Sequence, residues 1–154
     1  RLTLGGMVRL KGAYIIKCND VVYKEDGTID YLKCEYIEGT KSGQDNSGIK
    51  VKGTIHFVAK ENAFTCTIRN FKNLVKDEYL WPSKALASGV SIDEILEPNS
   101  LVETIALAEN FLKEAKPYDK FQFMRKGYYA LDKDSTKDNY IFNSTISLKD
   151  GFKK

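Results

Sequence analysis

Short runs in which apolar and polar residues alternate dominate the chain. This period-2 pattern predicts strands near residues 7–17, 19–24, 29–37, 50–59, 64–71, 120–131 and 139–148. Turn signals rich in Gly, Asn, Asp and Lys separate these runs at residues 25–27, 41–48, 60–62 and 132–139. Glu25-Asp26-Gly27 stands between two apolar runs, which is typical of a β-hairpin. The pattern therefore predicts an all-β fold.

One stretch, residues 76–115, differs from the rest. Trp81-Pro82 interrupts the pattern, and residues 91–96 can form one or two helical turns. Residues 102–115 are rich in Ala, Leu and Glu, which favour helix. We expect a short helical excursion around residues 90–115.

The segment FQFMRKGYYALDKDS, residues 121–135, joins a strand-like pattern to polar groups suited to a nucleobase. Phe121, Phe123 and Tyr129 offer ring faces at strand spacing, and Gln122 and Arg125 lie three positions apart. An amide donates and accepts hydrogen bonds, and a guanidinium forks onto a carbonyl oxygen or a phosphate, so together they match the edge of an unstacked base. The alternative is an edge strand with ordinary solvated side chains.

A second segment, residues 1–17, is basic and contains no Asp or Glu. Its cations are Arg1, Arg9, Lys11 and Lys17. Alternation predicts that Arg9 and Lys11 project together from the polar face of one strand, about 7 Å apart, which suits adjacent phosphates or bases. A solvated face is the alternative. The whole chain carries a net charge of only +3, so RNA contacts must come from local strips of this kind.

Other features narrow the functional classes. No apolar run approaches 18 residues, so no membrane span is expected. The three cysteines, Cys18, Cys34 and Cys66, form no CxxC pair, and with a single histidine they do not indicate a zinc or other metal site. We expect buried free thiols in a reducing compartment, the cytoplasm.

His56 is interpreted as a core or hydrogen-bonded strand histidine. A chain that begins at Arg1 without a leader looks like a piece of a longer cytosolic protein.

Four segments in this order resemble a known family. They are VRLKGAYIIK at 8–17, GIKVKGTIHFV at 48–58, KFQFMRKGYYALDKDST at 120–136 and FNSTISLKD at 142–150. Together they resemble the C-terminal anticodon-binding region of bacterial-type glutaminyl-tRNA synthetase, over almost the whole chain. Residues 75–116 resemble it least.

This resemblance implies a fold built of antiparallel β-barrels, similar to ribosomal protein L25. It implies one anticodon-binding domain, with residues 1–75 mostly in one barrel, 76–116 as a connector with short helices and 117–154 as returning strands. The chain lacks the histidine signature and nucleotide-binding fold of the catalytic domain, so we expect no catalytic residues and no cofactor here. ATP and glutamine would bind the catalytic domain of the parent ligase.

The resemblance also implies roles for particular residues. Gln122 and Arg125 correspond to the readers of the central uridine of the glutamine anticodon. Arg1 corresponds to the arginine that meets the third base, a guanine. Arg9 and Lys11 correspond to two arginines that serve the first base and its phosphate, and Lys11 lacks the planar fork of the residue it replaces.

The expected partners are therefore the anticodon loop of glutamine tRNA and the catalytic domain of the same parent chain, and neither DNA nor a membrane. Three alternatives stay open: a general single-stranded RNA-binding barrel, the equivalent domain of a glutamyl-tRNA synthetase, and a non-catalytic protein-interaction barrel. Placement of the five candidate residues on one concave surface would favour RNA binding, whereas scattering over opposite faces would favour the interaction barrel.

Overall fold

The computed structural model describes residues 2–79 and 81–148. Backbone contacts divide the chain into two compact units, residues 1–57 and 58–154. Within the described residues, each unit contains one β-sheet, and helices are few and short. The all-β class predicted from the sequence is confirmed.

The sheet of the first unit has four strands. They are β1 (Met7–Leu10), β2 (Ile15–Tyr23), β3 (Ile29–Tyr36) and β4 (Thr54–Ile55), in the spatial order β3-β2-β1-β4. The β1–β2 and β2–β3 pairs are antiparallel, but β4 lies parallel to β1. Val8, Ile15 and Cys18 are buried within this unit. The hairpin predicted at Glu25-Asp26-Gly27 is confirmed between β2 and β3.

The prediction of one strand over residues 7–17 is wrong. The first strand ends at Leu10, and a turn follows in which the Ala13 N–H donates to the Leu10 carbonyl at 3.0 Å. Gly12 adopts a φ of 75°, which a residue with a side chain rarely takes, and so lets the chain reverse into β2. Lys11 therefore lies in the turn and not beside Arg9 on a strand face.

The sheet of the second unit has five strands. They are β5 (Phe64–Phe71), β6 (Leu101–Ala108), β7 (Lys120–Phe123), β8 (Gly127–Leu131) and β9 (Tyr140–Ile146), in the order β6-β5-β9-β8-β7. The β5–β9 pair is parallel and the other three are antiparallel. Among the described residues, the β1–β4 and β5–β9 pairs are parallel, whereas the family resemblance predicted antiparallel barrels; a period-2 pattern carries no information about strand direction.

One face of this second sheet forms a hydrophobic core around Phe142, which is fully buried. Tyr129 and Leu131 from β8 and Ile68 from β5 belong to the same buried cluster. The ring of Phe123 stacks on that of Tyr129 with centroids 4.6 Å apart. Burial of these large apolar side chains makes the main contribution to the stability of the unit.

The helical excursion is only partly as predicted. Helix α1 (Pro82–Ala87) and helix α2 (Ile92–Ile95) are short, and α2 confirms the helical turn predicted at residues 91–96. In the described part of the chain, 3-10 turns occur at Lys60–Asn62, Asp77–Tyr79 and Asn110–Glu114. Ser91 caps α2, since its hydroxyl accepts from the Glu94 N–H at 3.3 Å.

The helix predicted over residues 102–115 is wrong, because its first half is strand β6. Every residue of β6 pairs with β5 in continuous register, from Phe64 opposite Ala108 to Phe71 opposite Leu101. Val102, Ala106 and Ala108 turn inward at strand spacing, and this packing outweighs the helix propensity of Ala and Leu.

Burial was predicted for all three thiols and a core or hydrogen-bonded strand position for the histidine, and the structure confirms burial for two of the thiols. All three cysteines are free, and Cys18 and Cys66 are buried, but Cys34 is exposed. His56 is exposed directly after β4, so the core interpretation of this histidine is wrong.

The described residues contain no group of three or more His, Cys, Asp or Glu side chains that could hold a metal ion. Within those same ranges, no helix has the length and apolar character needed to cross a membrane.

Candidate nucleic-acid interface

Arg9 lies in the first unit, in the middle of β1, and its guanidinium is already bonded. It donates to the carbonyl oxygen of Thr40 at 2.6 Å and to the carboxylate of Asp45, with which it forms an ion pair. Thr40 is itself buried, and its hydroxyl accepts from the Ile15 N–H at 2.9 Å and donates to the Ile37 carbonyl at 2.6 Å. Arg9 thus fastens the loop after β3 to the sheet.

Asp45, the partner of Arg9, is kept ionised by hydrogen bonds from its own loop. Both the hydroxyl and the backbone N–H of Ser47 donate to its carboxylate, at 2.7 and 2.9 Å. These bonds, and then the one from Arg9, lower the pKa of Asp45 to about 2. Because this carboxylate stays ionised, it partly neutralises the charge that Arg9 would offer to a phosphate.

Lys11 and Arg1 are placed differently from Arg9. Lys11 is exposed in the turn after β1, and its backbone N–H donates to the Ile55 carbonyl at 2.9 Å. Its side chain therefore stands at the surface of the first unit. Arg1 lies outside the described residues.

Gln122 lies in the second unit, on the solvent-facing side of the β7–β8 hairpin. It is exposed and is the direct cross-strand partner of Tyr128, which is also exposed. Directly opposite residues in a sheet bring their side chains together on one face. The Gln122 amide and the Tyr128 ring therefore form one outward-facing pair.

The ring faces predicted to meet a base are not the ones at this surface. Phe121, Phe123 and Tyr129 alternate with Gln122 and Tyr128 and turn inward, where they contact Phe142 or one another. That part of the prediction is wrong, since the core needs these three rings. Tyr128 is the aromatic residue of the hairpin that faces outward, and strand alternation from Gln122 could have identified it.

Arg125 occupies the tight turn that joins β7 to β8. The Lys126 N–H donates to the Phe123 carbonyl at 2.8 Å, which closes a four-residue turn with Arg125 in its third position. Arg125 has a φ of 61°. This left-handed conformation costs a residue with a side chain about 1 kcal/mol or more, and turns of this kind usually place Gly or Asn there. Such a backbone outlier supports a hypothesis of function for Arg125, although Tyr118, which has no predicted role, also has a positive φ, of 72°.

A cavity of about 190 Å³ opens beside this turn, within the second unit. Its walls include Asn70, Phe71, Lys126, Tyr128, Ser144 and Thr145. Phe71 and Tyr128 are exposed aromatic rings, and Lys126 supplies a cation. Neither Phe71 nor Lys126 was predicted as a site residue, although Lys126 lies inside the segment 121–135 that suggested base recognition. Aromatic faces beside a cation are the groups that hold unstacked bases and their phosphates.

Comparison with known proteins identifies the class to which this chain belongs. Residues 54–132, about half of the chain, match the family described as the anticodon-binding domain of class I tRNA synthetases (E and Q). A second family with the same description matches residues 1–37. The chain is therefore a member of this anticodon-binding family.

The relatives that follow are glutamine–tRNA ligases, a narrower class than the family, which covers the E and Q enzymes together. The chain is 45% identical over 154 residues to a glutamine–tRNA ligase from Rhodopirellula baltica. It is 41% identical over 154 residues to the glutamine–tRNA ligase of Clostridium perfringens and 39% identical over 153 residues to that of Azotobacter vinelandii. These alignments include 99–100% of this chain but only 25–27% of each relative. The chain thus spans about a quarter of the length of the curated relatives it matches.

Proposed function

We propose that this chain is the anticodon-binding part of a glutamine–tRNA ligase and that it binds the anticodon loop of glutamine tRNA in the cytoplasm. Membership of the anticodon-binding family and similarity over the whole chain to glutamine–tRNA ligases support the proposal. Ligation of glutamine with ATP would belong to the longer protein, through a catalytic domain outside this sequence.

The observation that carries the proposal is the β7–β8 hairpin. Arg125 holds a backbone conformation suited to Gly, one residue from the cation Lys126 of the cavity wall. Gln122 faces outward beside Tyr128 on the same hairpin. A guanidinium, an amide and an exposed ring are the groups needed to bind one unstacked base by its edge and its face.

The proposed assignment of roles follows the family. Gln122 and Arg125 read the central uridine. Arg1 meets the third base, while Arg9 and Lys11 serve the first base and its phosphate. Because Arg9 is already paired with Asp45, we propose that it binds RNA only through donors left over from that pair or after exchanging partners.

A binding titration with a glutamine anticodon stem-loop tests the proposal. Fluorescence anisotropy at several salt concentrations should show affinity that falls steeply with ionic strength, with a log-log slope near 0.7 per neutralised phosphate. A hairpin with the same stem and a scrambled loop is the control. Equal affinity for both hairpins would favour a general single-strand binder, and absence of salt-dependent binding would favour a protein-interaction barrel.

A further inference from the structure

Two of the three free cysteines are direct neighbours across strands. Cys18 in β2 is the register partner of Cys34 in β3. The Cys18 N–H donates to the Gly6 carbonyl at 3.0 Å, and the Cys18 carbonyl accepts from the Gly5 N–H at 2.8 Å. Both peptide groups of Cys18 therefore point away from β3, which makes Cys18 and Cys34 a non-hydrogen-bonded antiparallel pair.

A non-hydrogen-bonded antiparallel pair brings two cysteines close enough to form a disulfide bond. Cα atoms in non-hydrogen-bonded pairs are about 4.5 Å apart, inside the range of about 4.4–6.8 Å found for disulfides. The Cys34 thiol lies close enough to Cys18 for the two side chains to interact. Although Cys34 is exposed as a residue, partial desolvation of its sulfur raises the pKa of the Cys34 thiol, and the charge and hydrogen bond of Cys18 raise it further. A β-bulge lies immediately after Cys18, and irregular backbone there can absorb a small change in strand separation.

The two thiols of the pair differ in their exposure to solvent. Cys18 is fully buried, and its thiol donates to the Asp20 carbonyl at 3.5 Å, whereas Cys34 is exposed. A reagent in solution would thus reach Cys34 first. Cys66 offers an internal contrast, because it is buried in the other unit and burial raises the pKa of its thiol to about 11.

We propose that Cys18 and Cys34 form a reversible oxidation site, at which a small-molecule disulfide such as oxidised glutathione converts the two thiols into a cross-strand disulfide. The Cys34 thiolate attacks the glutathione disulfide and releases one reduced glutathione. The Cys18 thiolate then attacks the Cys34 sulfur of the mixed disulfide and releases the second. Two electrons and two protons pass to glutathione, and the two cysteines are joined.

Tryptic mapping of the whole chain tests this directly. Cleavage after Lys17, Lys24, Lys33 and Lys41 places Cys18 in peptide 18–24 and Cys34 in peptide 34–41. After incubation with oxidised glutathione, the intact mass should fall by about 2 Da, and mass spectrometry should find these two peptides linked. Dithiothreitol should restore both free thiols.

Two variants sharpen the experiment. Cys66→Ser should leave the 18–24 to 34–41 linkage unchanged. Cys34→Ser alters an exposed side chain, so it should keep the fold, as far-UV circular dichroism can verify, and should leave Cys18 reduced. Glutathione retained on Cys34 with Cys18 still a thiol, a linkage between two molecules through peptide 34–41, or no oxidation of the pair would each overturn the proposal.

Discussion

Arg9 and Asp45 form an ion pair that fixes a loop to the first strand of the sheet, although 36 positions separate them in the sequence. Arg9 is one of the residues that the family resemblance assigns to RNA. The guanidinium that binds a carboxylate in the free protein is thus the group that, in the proposed complex, would bind a phosphate or a base. Several measurements can separate these two roles.

The first prediction concerns acid stability. The pKa of Asp45 is held at about 2, below its ordinary value, chiefly by Ser47 and then by Arg9. A carboxylate with a lowered pKa in the folded state stabilises the fold above the pKa of the unfolded chain, near 4, and this contribution is lost as the pH falls toward about 2. Urea unfolding at several pH values should show this loss, and Asp45→Asn should flatten the dependence in that window.

Asp30 provides the control for acid stability. It is an exposed aspartate of β3 in the same sheet, and Asp30→Asn removes the same charge without removing the pair with Arg9 or the bonds from Ser47. An unchanged pH profile in Asp45→Asn would show that the pair with Arg9 and the bonds from Ser47 do not persist in solution.

The second prediction concerns competition for Arg9. Asp45→Asn removes the carboxylate that would repel a phosphate and frees donors of Arg9. We expect affinity for the glutamine anticodon stem-loop to rise roughly two- to five-fold at low salt, the size typical of one exposed charge interaction. The salt dependence should steepen at the same time, since one more cation is available to phosphates.

Asp20→Asn is the matched control for this competition, because it removes one carboxylate from the exposed pair with Lys33 in the same sheet. It should change the affinity much less than Asp45→Asn. A fall in affinity on replacing Asp45 would mean that the carboxylate orients Arg9 for RNA and does not compete with it.

The third prediction separates two adjacent tyrosines of β8. The buried Tyr129 hydroxyl donates to the Asn70 side-chain oxygen at 2.9 Å, so Tyr129→Phe leaves that acceptor without its partner and should lower the free energy of unfolding by about 1 kcal/mol. Tyr128→Phe changes an exposed hydroxyl and should have little effect on stability. Denaturant titration of the two variants makes the comparison. Equal effects would contradict the inward and outward placement of these side chains.

The sequence predicts those parts of the fold in which local pattern and tertiary packing agree. Strand β5 was predicted at residues 64–71 and lies there, and the hairpin at Glu25-Asp26-Gly27 forms because its turn residues suit the required backbone. Strand β6 was missed because Ala, Leu and Glu favour helix locally, and only pairing with β5 decides otherwise. Local pattern cannot contain that information.

The role of the polar residues chosen from the sequence stays a prediction, and the geometry of the candidate site was not predictable from the sequence. Gln122 and Arg125 were identified as a pair, yet the left-handed backbone of Arg125 is not evident from a sequence that places no Gly or Asn there. The Arg9–Asp45 pair depends on a loop that returns to β1, which periodicity does not reveal. Whether the candidate residues of the two units share one surface stays a prediction.

The last prediction concerns base reading by the β7–β8 hairpin. If Gln122 and Arg125 contact the edge of the central uridine, replacing that uridine by cytidine should cost roughly 1–3 kcal/mol, because a carbonyl acceptor becomes an amine facing a donor. Gln122→Ala and Arg125→Ala should each reduce this preference, and the double variant should show coupling, since both would act on one base.

Arg125→Gly makes the test decisive, because it removes the side chain and suits the φ of 61°. We expect its free energy of unfolding to stay the same or rise by up to about 1 kcal/mol, while uridine preference is lost. Lys126→Ala is the control, since it removes a neighbouring cation of the cavity wall and should weaken binding of uridine and cytidine loops alike. An Arg125→Gly variant that loses stability but keeps its uridine preference would assign Arg125 to the fold and remove it from base recognition.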